Sequence, residues 1–310
     1  MSPQQRPSKL GLVLAFFAIY VIWGSTYLAI RVAVEGIPPL LMMGARQLIA
    51  GGLMFLLMRG RGEGAPRWMW KPALVAGALC FLGGHGLLAW AEQRVPSGMA
   101  ALLMALESVM MVMLARAAKQ EKRISGRTLA ALVLGIAGVA VLIPIEGNSE
   151  LIPSLAILLS GLLWSLGAIY ARGAARDVGS GMYSAMQMLI GGMLLLGVGA
   201  GFGERVNFAS VNLRSVAALG YLIVFGSIIA FTAYTWLLRV STAARVGTHA
   251  YVNPIIAVVL GWALGGEVVT ARMLLGAVVV LVSVFLVSQS ERGKTPTLEG
   301  SEIKLEPAGD

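Results

Sequence analysis

Charge is scarce in this sequence. Only 13% of its 310 residues are Asp, Glu, Lys or Arg, against 57% hydrophobic, and a water-facing surface on a chain this long needs far more. Cysteine is almost missing: Cys80 stands alone, which excludes a disulfide within the chain and any cysteine-based metal site. The apolar stretches hold no aspartate, so aspartyl-protease chemistry within them is excluded. No cluster of His, Glu and Asp has metal-ligand spacing. Gly-x-Ser-x-Gly, His-Glu-x-x-His and phosphate-cradling loops are missing too. An enzyme is therefore not expected, no cofactor is implied, and ATP has no binding motif. The formal charge of +9 is spread in short runs between apolar stretches. That placement fits control of membrane topology and not a nucleic-acid partner.

What the sequence does have is length and apolarity in regular portions. A membrane span takes about 20 mostly apolar residues, and ten stretches qualify, near 10–32, 38–58, 71–91, 97–115, 127–145, 153–173, 181–202, 214–237, 243–264 and 271–289. The first is too long for a signal-peptide core and ends in no small-x-small cleavage site. Gly, at 39 residues, suits helices that approach closely in a lipid bilayer. With the N-terminus in the cytoplasm, 18 of the 24 Lys and Arg fall on the inside. Five (Arg31, Arg94, Arg205, Arg214 and Arg272) fall outside, and Arg46 lies within a span. The excess predicts both termini in the cytoplasm and hence an even number of helices. The expected fold is an all-α membrane protein of ten transmembrane helices in the inner membrane, with residues 290–310 a disordered tail.

Comparing the sequence with itself exposes a repeat. An offset of 141 aligns Trp23 with Trp164, Arg31 with Arg172, Gly51 with Gly192 and Arg46 with Gln187. An offset of 145 pairs Arg94-Val95 with Arg239-Val240 and Gly138 with Ser283, while Glu121 and Glu267 differ by 146. Each half, 10–145 and 153–289, holds five stretches. An odd number places the second half upside down, a recurrent transporter design with its site between the halves.

Ionisable groups inside a span cost about 2.5–3.5 kcal/mol each on insertion scales, so each needs a reason. Glu107 is either a carboxylate facing a cavity, able to meet a substrate ammonium or carry a proton, or a structural partner of Arg46. His85, within Gly83-Gly84-His85-Gly86, is either a proton carrier or a donor to a neighbouring carbonyl. Arg46 reads first as a structural polar anchor, with Gln187 its repeat mate, and second as a ligand for a substrate carboxylate. Trp23 and Trp164 sit mid-span, where paired aromatic walls would suit apolar or cationic substrates. Trp68, Trp70 and Trp90 lie near span ends, as interfacial belts do. Pro254 predicts a hinge, with His249, Tyr251 and Asn253 beside it as binding candidates. The methionines from Met99 to Met113 could line a deformable pocket or simply pack.

Several of these segments resemble the EamA family of the drug/metabolite transporter superfamily. They are Trp23-Gly24-Ser25 with its echo at Trp164, Val95-Pro96-Ser97-Gly98, Ala250-Tyr251-Val252-Asn253-Pro254, and Gly265-Gly266-Glu267 before a small-residue helix. The resemblance covers about residues 10 to 290. It implies a 5+5 inverted repeat around a central cavity, with helices 1, 3, 4, 6, 8 and 9 lining it and 5 and 10 outside. It also implies export of amino acids, metabolites or drugs by alternating access, with proton coupling open. The family usually has a proline in helix 4; Glu107-Ser108-Val109 stands there instead, which predicts a less kinked first half. The alternative is a passive facilitator or channel for small amphipathic solutes, although no repeated filter loop is visible; an intramembrane enzyme ranks below both.

Overall fold

The computed structural model describes residues 8–117, 126–143, 150–174, 180–241, 246 and 248–292. All regular structure among them is helical. Seven helices are long and apolar enough to cross a membrane: α1 (Lys9–Val34), α2 (Pro39–Gly60), α3 (Arg67–Ala91), α4 (Ser97–Leu114), α6 (Leu151–Ala171), α7 (Gly181–Gly201) and α8 (Leu213–Tyr234). Three apolar helices are shorter over their described apolar residues: α5 (Leu129–Leu142), α9 (His249–Gly265) and α10 (Ala271–Leu286). The expected start of the ninth stretch near 243, Glu121, and the tail from 293 lie outside the described residues. The last helix continues to Arg292, past the Ser290 boundary expected for the tail.

Between apolar helices in lipid no hydrophobic force favours one contact over another, so close packing over small residues decides the pairing. The main seam joins α2 and α7 in antiparallel fashion. A Cβ on Gly51 would lie 2.8 Å from Met188 Cβ and 3.0 Å from Leu189 N. A Cβ on Gly192 would meet Leu48 N at 2.9 Å. Helices α5 and α10 form a second antiparallel seam: Gly138 abuts Val280, Gly276 abuts Leu142, and Ser283 Oγ donates to Ala131 O (2.6 Å). A third joins α4 to α9, with Gly98 against Val258 and Gly261 against Ser97.

Helix ends interlock by one recurring device. The positive-φ glycines Gly62, Gly203 and Gly266 (φ 83°, 78° and 65°) each follow a helix and precede a glutamate. Glycine adopts this left-handed closing turn without steric cost. The turn folds the glutamate N–H back onto the helix it has just left: Glu63 onto Met58 O, Glu204 onto Gly199 O and Glu267 onto Gly261 O. Each carboxylate then accepts from the unpaired N–H groups that begin another helix. Glu204 takes Leu40 N and Leu41 N (3.2 and 3.0 Å) at the start of α2. Glu63 takes Met182 N (3.2 Å) at the start of α7. Glu267 takes Ser97 N and Gly98 N (2.7 and 3.1 Å) at the start of α4. Helices α2 and α4 are preceded by Pro38 and Pro96, whose side chains provide no cap, so the cap must come from elsewhere.

The helices are not uniform. Wide turns with i→i+5 geometry occupy Ala18–Ile22 in α1, Ala78–Gly86 in α3 and Leu222–Ile229 in α8. The expectation of a straighter α4 and a broken α9 is reversed. Helix α4 is interrupted at Leu106, where Leu106 N turns tightly onto Leu103 O and the helix restarts at Glu107. Ser165 Oγ from α6 supports the break by donating to Glu107 O (3.3 Å), so a neighbour does what a proline was expected to do. Helix α9 runs without a break through Pro254.

Gly51→Ala will lower the melting temperature in detergent micelles, because overpacking a tight seam costs about 1–3 kcal/mol. Gly60→Ala on the same helix, where a Cβ meets nothing within 4 Å, will leave it unchanged or raise it.

Candidate functional site

Side chains of neighbouring helices donate to backbone carbonyls within the wide helical turns. Trp23 Nε1 donates to Gly226 O (3.1 Å), within the wide turns of α8. Ser160 Oγ donates to Gly84 O (2.7 Å), within those of α3. The Asn253 amide, oriented to match its surroundings, donates to Ile19 O, Tyr20 O and His249 O at 3.1, 3.2 and 3.1 Å. Asn253, a binding candidate from the sequence, is thus buried and engaged as a clamp between α9 and the wide turns of α1. Beside it the hydroxyls of Tyr20 and Thr248 meet, and Gly24 lets α1 approach Ile256.

The two expected tryptophans lie in separate aromatic groups. Trp23 packs against Tyr234 and His249 with ring centroids 5.1 and 5.3 Å away. Trp164 stacks on His85 at 4.7 Å with 21° between planes, and Phe81 meets both edge-on. Stacked or edge-on rings at these separations contribute about 0.5–1.5 kcal/mol beyond their area. Gly84 gives Trp164 its room: a Cβ there would lie 3.2 Å from the indole.

Polar groups of α2 lie between these aromatic groups. Arg46 Nε donates to Ser227 Oγ (3.0 Å), and Gly226 leaves space for its guanidinium. Gln47 Nε2 lies 3.0 Å from His85 Nδ1, which fits the histidine tautomer protonated on Nε2. Arg46 and His85 are within electrostatic range of each other. An Arg46–Glu107 ion pair is not formed among the described residues; Ser227 takes the place expected for Glu107. Gln187, the repeat mate of Arg46, is buried with its backbone against Gly77.

Glu107 sits at the α4 break, facing Gly161 of α6, 3.6 Å from where a Cβ would stand there. It is partly exposed, and its carboxylate accepts no hydrogen bond among the described residues. Tyr27 of α1 and Cys80 of α3 lie within its electrostatic range. Tyr251 is partly buried against the main apolar core. Met99 and Met104 belong to that core and Met110 packs on it, so the methionines of α4 mostly pack. Trp68 and Trp70 are exposed as belt residues would be, whereas Trp90 packs on the core. Sequence reasoning missed Gln47, Ser160, Ser165 and Ser227. Their only signal was a hydroxyl or amide inside an apolar span.

Asn253→Ala will lower stability by roughly 1–3 kcal/mol through the loss of the buried side-chain hydrogen bonds that tie α9 to α1, read as a melting shift in micelles. Asn253→Asp will lower it further at neutral pH, since a carboxylate has no donor for the carbonyls of Ile19, Tyr20 and His249.

The sequence matches the EamA-like transporter family over residues 9–143 and 151–289. It is 38% identical over 279 residues to the inner membrane transporter YedA of Escherichia coli (strain K12), covering 88% of this chain and 89% of that one. It is 25% identical over 299 residues to Protein PecM of Dickeya dadantii, covering 93% and 98%. A solved crystal structure at 20% identity shares the fold, with a TM-score of 0.65 over 91% of this chain and 98% of that one. Two family matches that together span nearly all of the apolar helices, with a relative named for inner-membrane transport, give a multi-pass inner-membrane transporter: the chain belongs to the EamA-like transporter family.

Proposed function

We propose that the chain exports small metabolites, amino acids or drugs across the inner membrane by alternating access. It does so with ten transmembrane helices in two inverted five-helix repeats, 10–145 and 153–289, and both termini in the cytoplasm. The observation that carries the inversion is reciprocal capping. The 141-residue offset that aligns Trp23 with Trp164 also relates Glu63 to Glu204 and Leu41 to Met182. Glu63 caps Met182, and Glu204 caps Leu41. An exchange of this kind is what a two-fold axis between α2 and α7 requires. Gly51 against Leu189 and Gly192 against Leu48 obey the same exchange. The wide turns of α3 and α8 begin at Ala78 and Leu222, 144 residues apart, close to the repeat offset.

The site lies between the halves. Glu107 presents a carboxylate free to meet a substrate ammonium, Trp164 and Trp23 supply an aromatic wall from each half, and Tyr251 borders the same core. His85 stacks on Trp164 and, with Glu107, is a candidate proton carrier. Asn253 and Arg46 hold the helices that carry these groups, and Pro254, which withholds one backbone donor from the otherwise continuous α9, is where that helix bends as the halves rock. No nucleotide is needed; an ion gradient supplies the work. Rocking of the halves exposes this site to each side in turn.

Uptake of labelled amino acids and cationic dyes into inverted membrane vesicles, with and without an imposed proton gradient, tests this reading. The parent will accumulate at least one class only with the gradient, and Glu107→Gln will do so about tenfold less well. Equilibration without a gradient would make the protein a facilitator. No movement of any compound would contradict transport through this site.

A further inference from the structure

Glu92 opens the turn between α3 and α4, its N–H still bonded to Leu88 O. Its side chain is 0% exposed, and neither carboxylate oxygen has a partner among the described residues. The charged and titratable groups within electrostatic range of it come from three elements: Tyr27 and Arg31 of α1, Arg46 of α2, and Glu267 of the α9–α10 turn. Each of the charged ones is already engaged. Arg31 Nη1 donates to the backbone carbonyl of Glu92 and Arg46 Nε to Ser227, while Glu267 accepts from Ser97 N and Gly98 N. Ser97 Oγ is also buried without a partner. An ionised carboxylate held dry without a donor carries a penalty of several kcal/mol, and a protonated one avoids most of it.

We infer that Glu92 is a proton-binding site whose occupancy is tied to closure of the end of the bundle on which it lies. That end also carries the Glu204 and Glu267 caps, and here it is closed around Glu92. Burial lifts Glu92 well above the usual carboxylate range; Glu267 adds to the rise, and Arg31 and Arg46 oppose it. When the end opens, water reaches the carboxylate and its affinity for a proton falls towards the ordinary value. Between those two affinities the closed form holds one more proton than the open form, so closing takes one up. Falling pH on that side therefore favours closure, by at most about tenfold in the closed-to-open ratio per pH unit. The inference rests on the alternating-access reading and deepens it. Substrate leaves while the end is open, and a proton from the same side is bound as it shuts. Tyr27 is within electrostatic range of both Glu92 and Glu107 of the proposed binding site.

The test uses the full chain and Glu92→Gln, which keeps the shape of the neutral acid. In nanodiscs at neutral pH the parent will show a protonated-carboxyl band in the infrared, and Glu92→Gln will lose part of it. In proteoliposomes, acidifying the side that Glu92 faces will slow substrate exchange by the parent severalfold more than by Glu92→Gln. An unchanged infrared band, or the same pH response in both proteins, overturns the inference. If neither protein exchanges any substrate, the export reading fails, and the infrared band still decides whether Glu92 holds the proton.

Discussion

A glutamate that follows a left-handed glycine and caps a helix elsewhere in the bundle is the contact on which the arrangement depends. A helix start left without acceptors in or near lipid is costly. Pro38 and Pro96 provide the entry angle to α2 and α4 but no acceptor. Glu204 and Glu267 come from the far ends of α7 and α9 to supply it. Each cap therefore fixes the end of one helix against the start of another, and the cap between α7 and α2 is answered by the one from Glu63 to Met182. Helix register along the α2–α7 seam follows, because caps at both ends leave the pair no freedom to slide. Gly51 and Gly192 then let the backbones meet.

With the frame held from its ends, the middle of the bundle can depart from regular helix. Wide turns in α1, α3 and α8 and the interruption of α4 at Leu106 fall around the aromatic and polar groups of the site. Each irregular stretch gives up backbone hydrogen bonds, and each has a side chain from another helix to accept the consequence: Asn253, Ser160, Trp23 and Ser165. Non-helical backbone at membrane depth is tolerated only where protein or a wet cavity surrounds it. The same donors that stabilise these turns place Trp23 and Trp164, so the two aromatic groups are products of the irregularity.

Much of this was legible in the sequence because lipid imposes simple rules. Scarce charge, apolar stretches of spanning length and the Trp23–Trp164 echo led to a helical membrane protein of this family. Gly265-Gly266-Glu267 was visible as a motif, but its function as a cap was not, since the capped residues Ser97 and Gly98 are 170 positions away in the chain. The break in α4 was misjudged for a related reason. A missing proline implied a straighter helix, while the support for the break, Ser165, lies on α6. Arg46 was read as a polar anchor, and the hydrogen bond it makes goes to Ser227, which was invisible as its partner because a serine in an apolar stretch has no local signature. The residues that sequence singled out fall in two separate aromatic groups, and Asn253 is committed to holding α1 and not open to solvent.

Inversion of the two halves is the claim from which the transport scheme follows, and sidedness of the two reciprocal caps tests it most directly. Single cysteines at positions 63 and 204, in a background with Cys80 replaced by alanine, would be labelled in intact cells with a membrane-impermeant thiol reagent. The account predicts that position 204 reacts from outside and position 63 reacts only once the cytoplasmic face is exposed. Labelling of both positions from the same side would contradict the inverted repeat and the mechanism built on it.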